Sequence, residues 1–291
     1  MFQVMYEAFY GLKCRPFLLV PDPEFLYWSE THQLAISMLR YGIAARAPIT
    51  VITGEIGAGK TTLLRHLMEE LPEELTLGLV SNMQIGRGGL LHWVMLSLDQ
   101  NIRNEPYVRT FQRFQDVLVE RYAEGRRVVV VIDEAQNLSV TQLEELRMLS
   151  NINSGKDELL QLILVGQPKL RELLGRPQLE QFVQRVSSDF HLGRLTLRET
   201  REYITRRLKI AGATQTIFSL RSCNLIFEAT SGVPRLVNTL CDLCLACGYS
   251  DDRHLIEEDL VRNLLKNSAE RGLFTQFTPL SDAPKLVSKQ L

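Results

Sequence analysis

Ile49-Thr50-Val51-Ile52-Thr53-Gly54-Glu55-Ile56-Gly57-Ala58-Gly59-Lys60-Thr61-Thr62 is a β-branched run that breaks into glycines and then into a helical pattern over residues 62–71. The spacing from Gly54 to Thr61 is a complete G-x-x-x-x-G-K-T. Glycines at these places let backbone N–H groups turn inward around a β-phosphate, and the start of the following helix adds a positive dipole. In such a loop Lys60 reaches the β- and γ-phosphates, and the Thr61 hydroxyl ligates Mg²⁺. The expected phosphate cradle is Gly54, Glu55, Ile56, Gly57, Ala58, Gly59, Lys60, Thr61 and Thr62.

A nucleotide site also needs a carboxylate for the metal and a means of activating water. The run Val128-Val129-Val130-Val131-Ile132-Asp133-Glu134 supplies both at the carboxyl end of a strand. Asp133 is expected to hold Mg²⁺ through water, and Glu134 to orient or deprotonate the attacking water. No N-K-x-D segment of the kind that selects guanine is present. ATP with Mg²⁺ is therefore the expected pair of ligands, and Lys60 and Glu134 the first catalytic candidates.

Outward from these motifs, residues 48–195 alternate short apolar runs (ITVITG, LTLGLVSN, VVVVID, LLQLILVG) with helical stretches, which predicts an α/β core with a parallel sheet. Val128–Ile132 is apolar at every position, as in a central strand buried on both faces. Residues 196–267 carry no strand signal. They show a capping box at Thr196 and Glu199, a cap at Ser219, Pro234 at a helix start, and a last helix from Ile256 to Leu265, so an all-helical lid is expected there. Residues 1–47 form an irregular lead-in with one helix from Glu30 to about Tyr41, and residues 268–291 have mixed polarity and no period, the pattern of a mobile tail.

Composition agrees with a globular chain of about two domains: 291 residues, 45% hydrophobic and 23% charged. Lys and Arg number 33 against 34 Asp and Glu, so no overall basic field draws the chain to nucleic acid or anionic lipid. No aliphatic run approaches the length of a membrane span and no secretory leader is recognisable, which predicts a cytoplasmic protein. Five cysteines, an odd number with four between positions 223 and 247, read as reduced thiols; Cys241, Cys244 and Cys247 on one helix spread around its circumference rather than converge on a zinc ion. His32, His66, His92, His191 and His254 have no metal spacing.

Taken together, YEAFYGLKCRPFLLVPDPEFLYWS, VITGEIGAGKTTLLR, VVVVIDEAQNLSVTQLEELRMLSN, LILVGQPKLRELL, LEQFVQRVSSDFHL and GVPRLVN resemble the AAA+ superfamily. Within it they are similar to the ExeA/GspA-type secretion ATPases and the related ATPases of exosortase and polysaccharide-export loci, over roughly residues 5–267. The resemblance implies a P-loop NTPase core with a helical lid, ATP hydrolysis, and assembly into a homo-oligomer, with a ring of about six as the family expectation. It implies that Gln167 stands at the sensor 1 position, that Arg185 is an arginine finger reaching a neighbouring subunit's site, and that Arg235 is the sensor 2 arginine of the lid. Arg171, Arg176 and Arg194 compete with Arg185 for the finger role. Phe17, Pro21 and Tyr27 fall in the family's adenine-side segment, where they either contact the base or dock the segment onto the core. The implied partners are envelope export or pilus assembly proteins, with the shorter export-associated members as the expected match.

Two further readings follow from the residues. In Ser139–Ile152, a capping box of Ser139 and Gln142 opens a helix with Val140, Leu143, Leu146 and Leu149 on one stripe, which leaves Glu144, Glu145 and Arg147 facing away. The alternative function is a nucleic-acid-bound regulator of the transposition or replication-initiation type, for which Arg206–Lys209 (RRLK) is the one short basic run.

Overall fold

A computed structural model describes residues 6–20, 22–72, 74–81, 89–100, 105–154, 157–271 and 277, and the chain divides into two compact units. One unit, Glu30–Glu55 with Leu63–Leu192, holds the sheet. Its strands are β1 (Ile49–Gly54), β2 (Leu75–Val80), β3 (Arg127–Ile132), the short pair β4 (Asn153–Ser154) and β5 (Asp157–Glu158), β6 (Leu160–Gly166) and β7 (Val186–Leu192). Its helices are α1 (Glu30–Ala44), α2 (Lys60–Glu70, which begins in the other unit), α3 (Leu90–Ser97), α4 (Tyr107–Ala123), α5 (Val140–Leu149), α6 (Lys169–Leu174) and α7 (Glu180–Val183).

The five main strands run in the order β2-β3-β6-β1-β7, all parallel, while β4 and β5 pair antiparallel. The order follows from composition. The strands with the longest unbroken apolar runs, β3 and β6, take interior places where both faces are covered, and β6 is buried at all seven positions. Val128–Ile132 is almost wholly inaccessible, and Val128, Val130 and Ile132, on one face of β3, join Leu143, Leu146 and Leu149 of α5, Phe114 of α4 and Phe182 of α7 in one core. The expected capping box of Ser139 and Gln142 is formed, which fixes where α5 begins.

Register sets the geometry of the edge. Val51, Leu164 and Ile132 lie in one row across β1, β6 and β3, so Gly54, Gln167 and the Asp133–Glu134 pair all leave the carboxyl edge of the same sheet.

The other unit gathers the chain up to Ser29, the segment Ile56–Thr62, and the chain from Gly193 onward. Its helices are α8 (Leu197–Ile210), α9 (Leu220–Thr230), α10 (Pro234–Ser250) and α11 (Glu258–Arg271). Thr196 and Glu199 form the expected capping box, Ser219 caps α9, and Pro234 opens α10. Tyr203, Ile204, Ile226, Val237, Leu240, Cys241, Cys244 and Val261 are buried in its core.

Three boundaries differ from those read in the sequence. The expected lead-in of residues 1–47 is divided: Tyr6, Tyr10, Leu12, Phe17 and Phe25 are buried in the helical unit's core, whereas α1 packs on β1 and β7. Ile256 does not begin the last helix, because its N–H donates to Ile217 O at 2.7 Å in a bridge between Phe218 and Ile256. The helix that follows runs on to Arg271, and Phe277 is buried in the helical core, so the segment expected as a tail from residue 268 begins as helix. Residues 272–276 and 278–291, on which the rest of that expectation falls, lie outside the described residues. Among the described residues no helix is long and apolar enough to cross a membrane.

Candidate nucleotide site

β1 is buried along its whole length and delivers the chain into the glycine loop. Gly57 and Gly59 take φ of +79° and +98°, left-handed values that a side chain would strain, and each reversal turns the backbone for the cradle anticipated from the motif. Lys60 opens α2 and is only 7% exposed, an environment that a lysine tolerates when its ammonium has partners. Ala58 is buried, Ile56 and Thr61 are exposed, and Thr62 is half-buried.

Within the same unit, α10 starts against this loop. The Arg235 N–H donates to Gly57 O at 3.3 Å, and the aliphatic stem of Arg235 covers the α-carbon of Gly57. Arg235, the expected sensor 2 residue, is thereby brought to the phosphate loop by Pro234, which fixes the first turn of α10, and by Ser231 and Gly232, which turn the chain with φ of +49° and +71°.

At the strand edge of the sheet unit, Asp133 continues β3: its N–H donates to Val80 O at 2.9 Å, and its Oδ1 accepts the Glu134 N–H at 2.9 Å. Glu134 has φ +55° and ψ +36°, left-handed for a residue with a side chain, and leads into a 3₁₀ turn over Ala135–Asn137. Such backbone costs on the order of 1–3 kcal/mol and concentrates at functional sites. Glu134 Oε2 accepts two amide hydrogens, one from Gln136 Nε2 at 2.5 Å and one from Gln167 Nε2 at 3.1 Å. Gln136 Oε1 in turn accepts the Gln167 N–H at 2.9 Å. The expected sensor 1 residue and the expected water-activating acid are thus in direct contact. Gln136, given no role by the sequence, completes the network, and its only sequence signal is a place two residues beyond the acids.

Arg185 is half-buried, and its guanidinium donates to Ser150 O at 3.1 Å and Ser150 Oγ at 3.2 Å at the end of α5, not to the acids of the strand edge. Of its rivals, Arg171 pairs with Asp189 at 2.8 Å, and Arg176 and Arg194 are exposed. Phe17 is a core residue of the helical unit, packed edge-to-face on Phe218, and Tyr27 donates its hydroxyl to Glu202 at 2.6 Å. Pro21 lies outside the described residues. All five cysteines are free. Cys223, Cys241 and Cys244 are buried, and burial pushes the Cys223 thiol up to about 11 and raises those of Cys241 and Cys244 well above the ordinary thiol value.

The donor chemistry suits magnesium. This ion keeps several waters and takes one or two carboxylates together with phosphate oxygens, for which a threonine hydroxyl and Asp133 are fitting donors. Among the described residues no group of three or more His, Cys, Asp or Glu is placed to cage an ion.

The family model for the AAA domain matches residues 44–174. General secretion pathway protein A of Aeromonas hydrophila is 35% identical over 87% of this chain, which spans 46% of that relative's length. The fold is shared with the ORC2 protein of Aeropyrum pernix, solved in ADPNP–ADP complexes (TM-score 0.60, 18% identity, 90% of this chain and 79% of that one). It is shared also with Cdc6p of Pyrobaculum aerophilum (TM-score 0.64, 17% identity, 85% of this chain and 71% of that one). Residues 44–174 carry the AAA domain, and the chain as a whole is similar to the AAA ATPases of the ExeA/GspA type.

Proposed function

We propose that this chain is a Mg²⁺-dependent ATPase that works as a homo-oligomer and powers or times the assembly of an envelope export, secretion or pilus machine. The observation that carries the reading is the shared carboxyl edge of the sheet. There β1 feeds a loop bent at two left-handed glycines, while β3 and β6 end on Glu134 and Gln167 in direct hydrogen bond.

In this account the loop from Gly54 to Thr62 binds the phosphates through backbone N–H groups and Lys60. Thr61 and Asp133 hold the metal, which when bound neutralises charge on the β- and γ-phosphates. Glu134 accepts the proton of the attacking water, or orients that water, with Gln167 beside it. Arg235, rooted at the loop through Gly57, ties the nucleotide to the helical unit. Arg185 or one of its neighbours in the segment from Arg171 to Arg194 offers a cation to the site of an adjacent copy. The link to export rests on the similarity to general secretion pathway protein A, and with it the expectation of protein partners at the inner face of the envelope.

A second reading, a nucleic-acid-bound regulator, draws on one observation. An open groove of about 450 Å³ in the helical unit is lined by Arg201, Arg206 and Lys209 together with Tyr27, Glu202 and Thr205. Cationic side chains along a groove would follow a phosphate backbone, with binding that weakens steeply as salt rises.

ATP turnover per chain with Mg²⁺, measured across protein concentration with and without duplex DNA, tests both. A specific rate that climbs with concentration supports sites completed between copies, and stimulation by DNA alone supports the second reading. A rate that is flat in concentration and indifferent to DNA contradicts the oligomeric account.

A further inference from the structure

We propose that Gln136 is a positioning residue for hydrolysis: its side-chain amide locks the Glu134 carboxylate to the end of β6 and fixes which carboxylate oxygen faces water. The inference rests on the reading of Glu134 as the water-activating group.

The hydrogen bonds fix the orientation of the Gln136 amide. Its Oε1 faces a backbone donor, the Gln167 N–H at 2.9 Å, so Nε2 must face the carboxylate, where it meets Glu134 Oε2 at 2.5 Å. Gln167 Nε2 reaches the same Oε2 at 3.1 Å. One oxygen of Glu134 is therefore held by two amide donors, and Oε1 is the oxygen offered to water. A main-chain group of one strand end is linked by a single side chain to the acid at the end of the next strand, so Glu134 keeps its left-handed backbone and its rotamer together.

A second feature points to the same arrangement. A Cβ built on Gly166 would lie 2.8 Å from Gln136 Oε1 and 2.9 Å from Leu170 Cδ2, so the residue before Gln167 must lack a side chain for the Gln136 amide to lie where it does. The lone glycine ending β6 is explained by this amide and by Leu170.

The test uses the full chain and four variants: Gln136→Glu, Gln136→Leu, Gly166→Ala and, as reference, Glu134→Gln. A carboxyl at 136 can donate to Glu134 only while it carries a proton, whereas the wild-type amide donates at every pH. Gln136→Glu is therefore expected to turn over more slowly than the wild type at neutral pH and to recover, relative to the wild type, as pH falls and the carboxyl beside Glu134 takes up its proton. Gln136→Leu should lower kcat about 10–100-fold, as removal of an orienting partner does, with the KM for ATP within about twofold. Gly166→Ala, which displaces the amide without removing it, should lower kcat in the same way, and thermal melting separates this from misfolding. If Glu134→Gln is inactive while Gln136→Glu and Gln136→Leu keep wild-type kcat and pH profile, the positioning role is overturned and the assignment of Glu134 stands. If Glu134→Gln turns over normally, the assignment of Glu134 fails and the role of Gln136 with it.

Discussion

The N–H of Arg235 donates to the carbonyl of Gly57 at 3.3 Å, and a Cβ built on Gly57 would lie 2.4 Å from the Cβ of Arg235. The phosphate loop and the start of α10 are therefore fitted to each other at backbone level, and only glycine allows the approach.

Gly57→Ala should weaken both stability and nucleotide binding. The left-handed φ of +79° alone costs a side chain about 1–2 kcal/mol. The collision with Arg235 adds to that and pushes the helix start off the loop. A lowered melting temperature together with weaker ATP affinity is expected; a variant indistinguishable from wild type in both would show that the loop is not held as described.

Lys60→Ala should reduce ATP affinity by roughly 10–100-fold, the loss of one or two charge-assisted hydrogen bonds to phosphate. Because Lys60 is buried at the start of α2, the melting temperature without nucleotide is the control. Unchanged affinity by titration would remove the loop from the nucleotide site.

Arg207 reports on how the lead-in is fastened. It is buried at 7% exposure, donates from Nε to Pro16 O at 2.5 Å and from Nη1 to the Tyr203 hydroxyl at 2.8 Å, and lies over the ring of Phe25 at 4.8 Å. Arg207→Ala leaves the Pro16 carbonyl without this donor and should cost about 1.5–3 kcal/mol. Limited proteolysis should then cut residues 6–29 faster than in the wild type, and an unchanged cleavage rate would deny the latch.

The thiols give a pH dependence with a definite sign. Burial raises the Cys223 thiol to about 11 and lifts those of Cys241 and Cys244 well above the ordinary thiol value, so the folded chain keeps protons that the unfolded chain gives up near 9. Their contribution to stability is complete below that value and is lost as pH climbs from about 9 toward 11 and beyond. Native thiol titration should show Cys14 and Cys247 reacting fast and the other three slowly, while five fast thiols would contradict the packed helical core.

Much of this molecule was legible because the signals are local. The β-branched runs, the glycine loop and the capping residues at Ser139, Thr196 and Ser219 each act within a few positions of themselves, and each element forms where its pattern lies. What was not legible depends on neighbours distant in the chain. Tyr6, Phe17 and Phe25 have no period, and their burial is decided by helices some two hundred positions further on. Gln136 reaches its second partner, the backbone N–H of Gln167 across 31 positions, only because β3 and β6 are adjacent. Ile256 reads as helical but is claimed by a bridge to Phe218. The site residues of the loop and of the acidic pair stand in recognisable motifs, whereas the hydrogen bond between Gln167 and Glu134 required the sheet order.

The central claim is that Glu134 activates water at an ATP site, and the most direct measurement is phosphate release per chain by wild type and Glu134→Gln, alongside ATP affinity of both. The account predicts that the variant binds ATP as the wild type does while its turnover falls about 100-fold or more, the share a positioned general base supplies. Wild-type turnover in the variant, or no Mg²⁺-dependent hydrolysis by the wild type at any protein concentration, would contradict it.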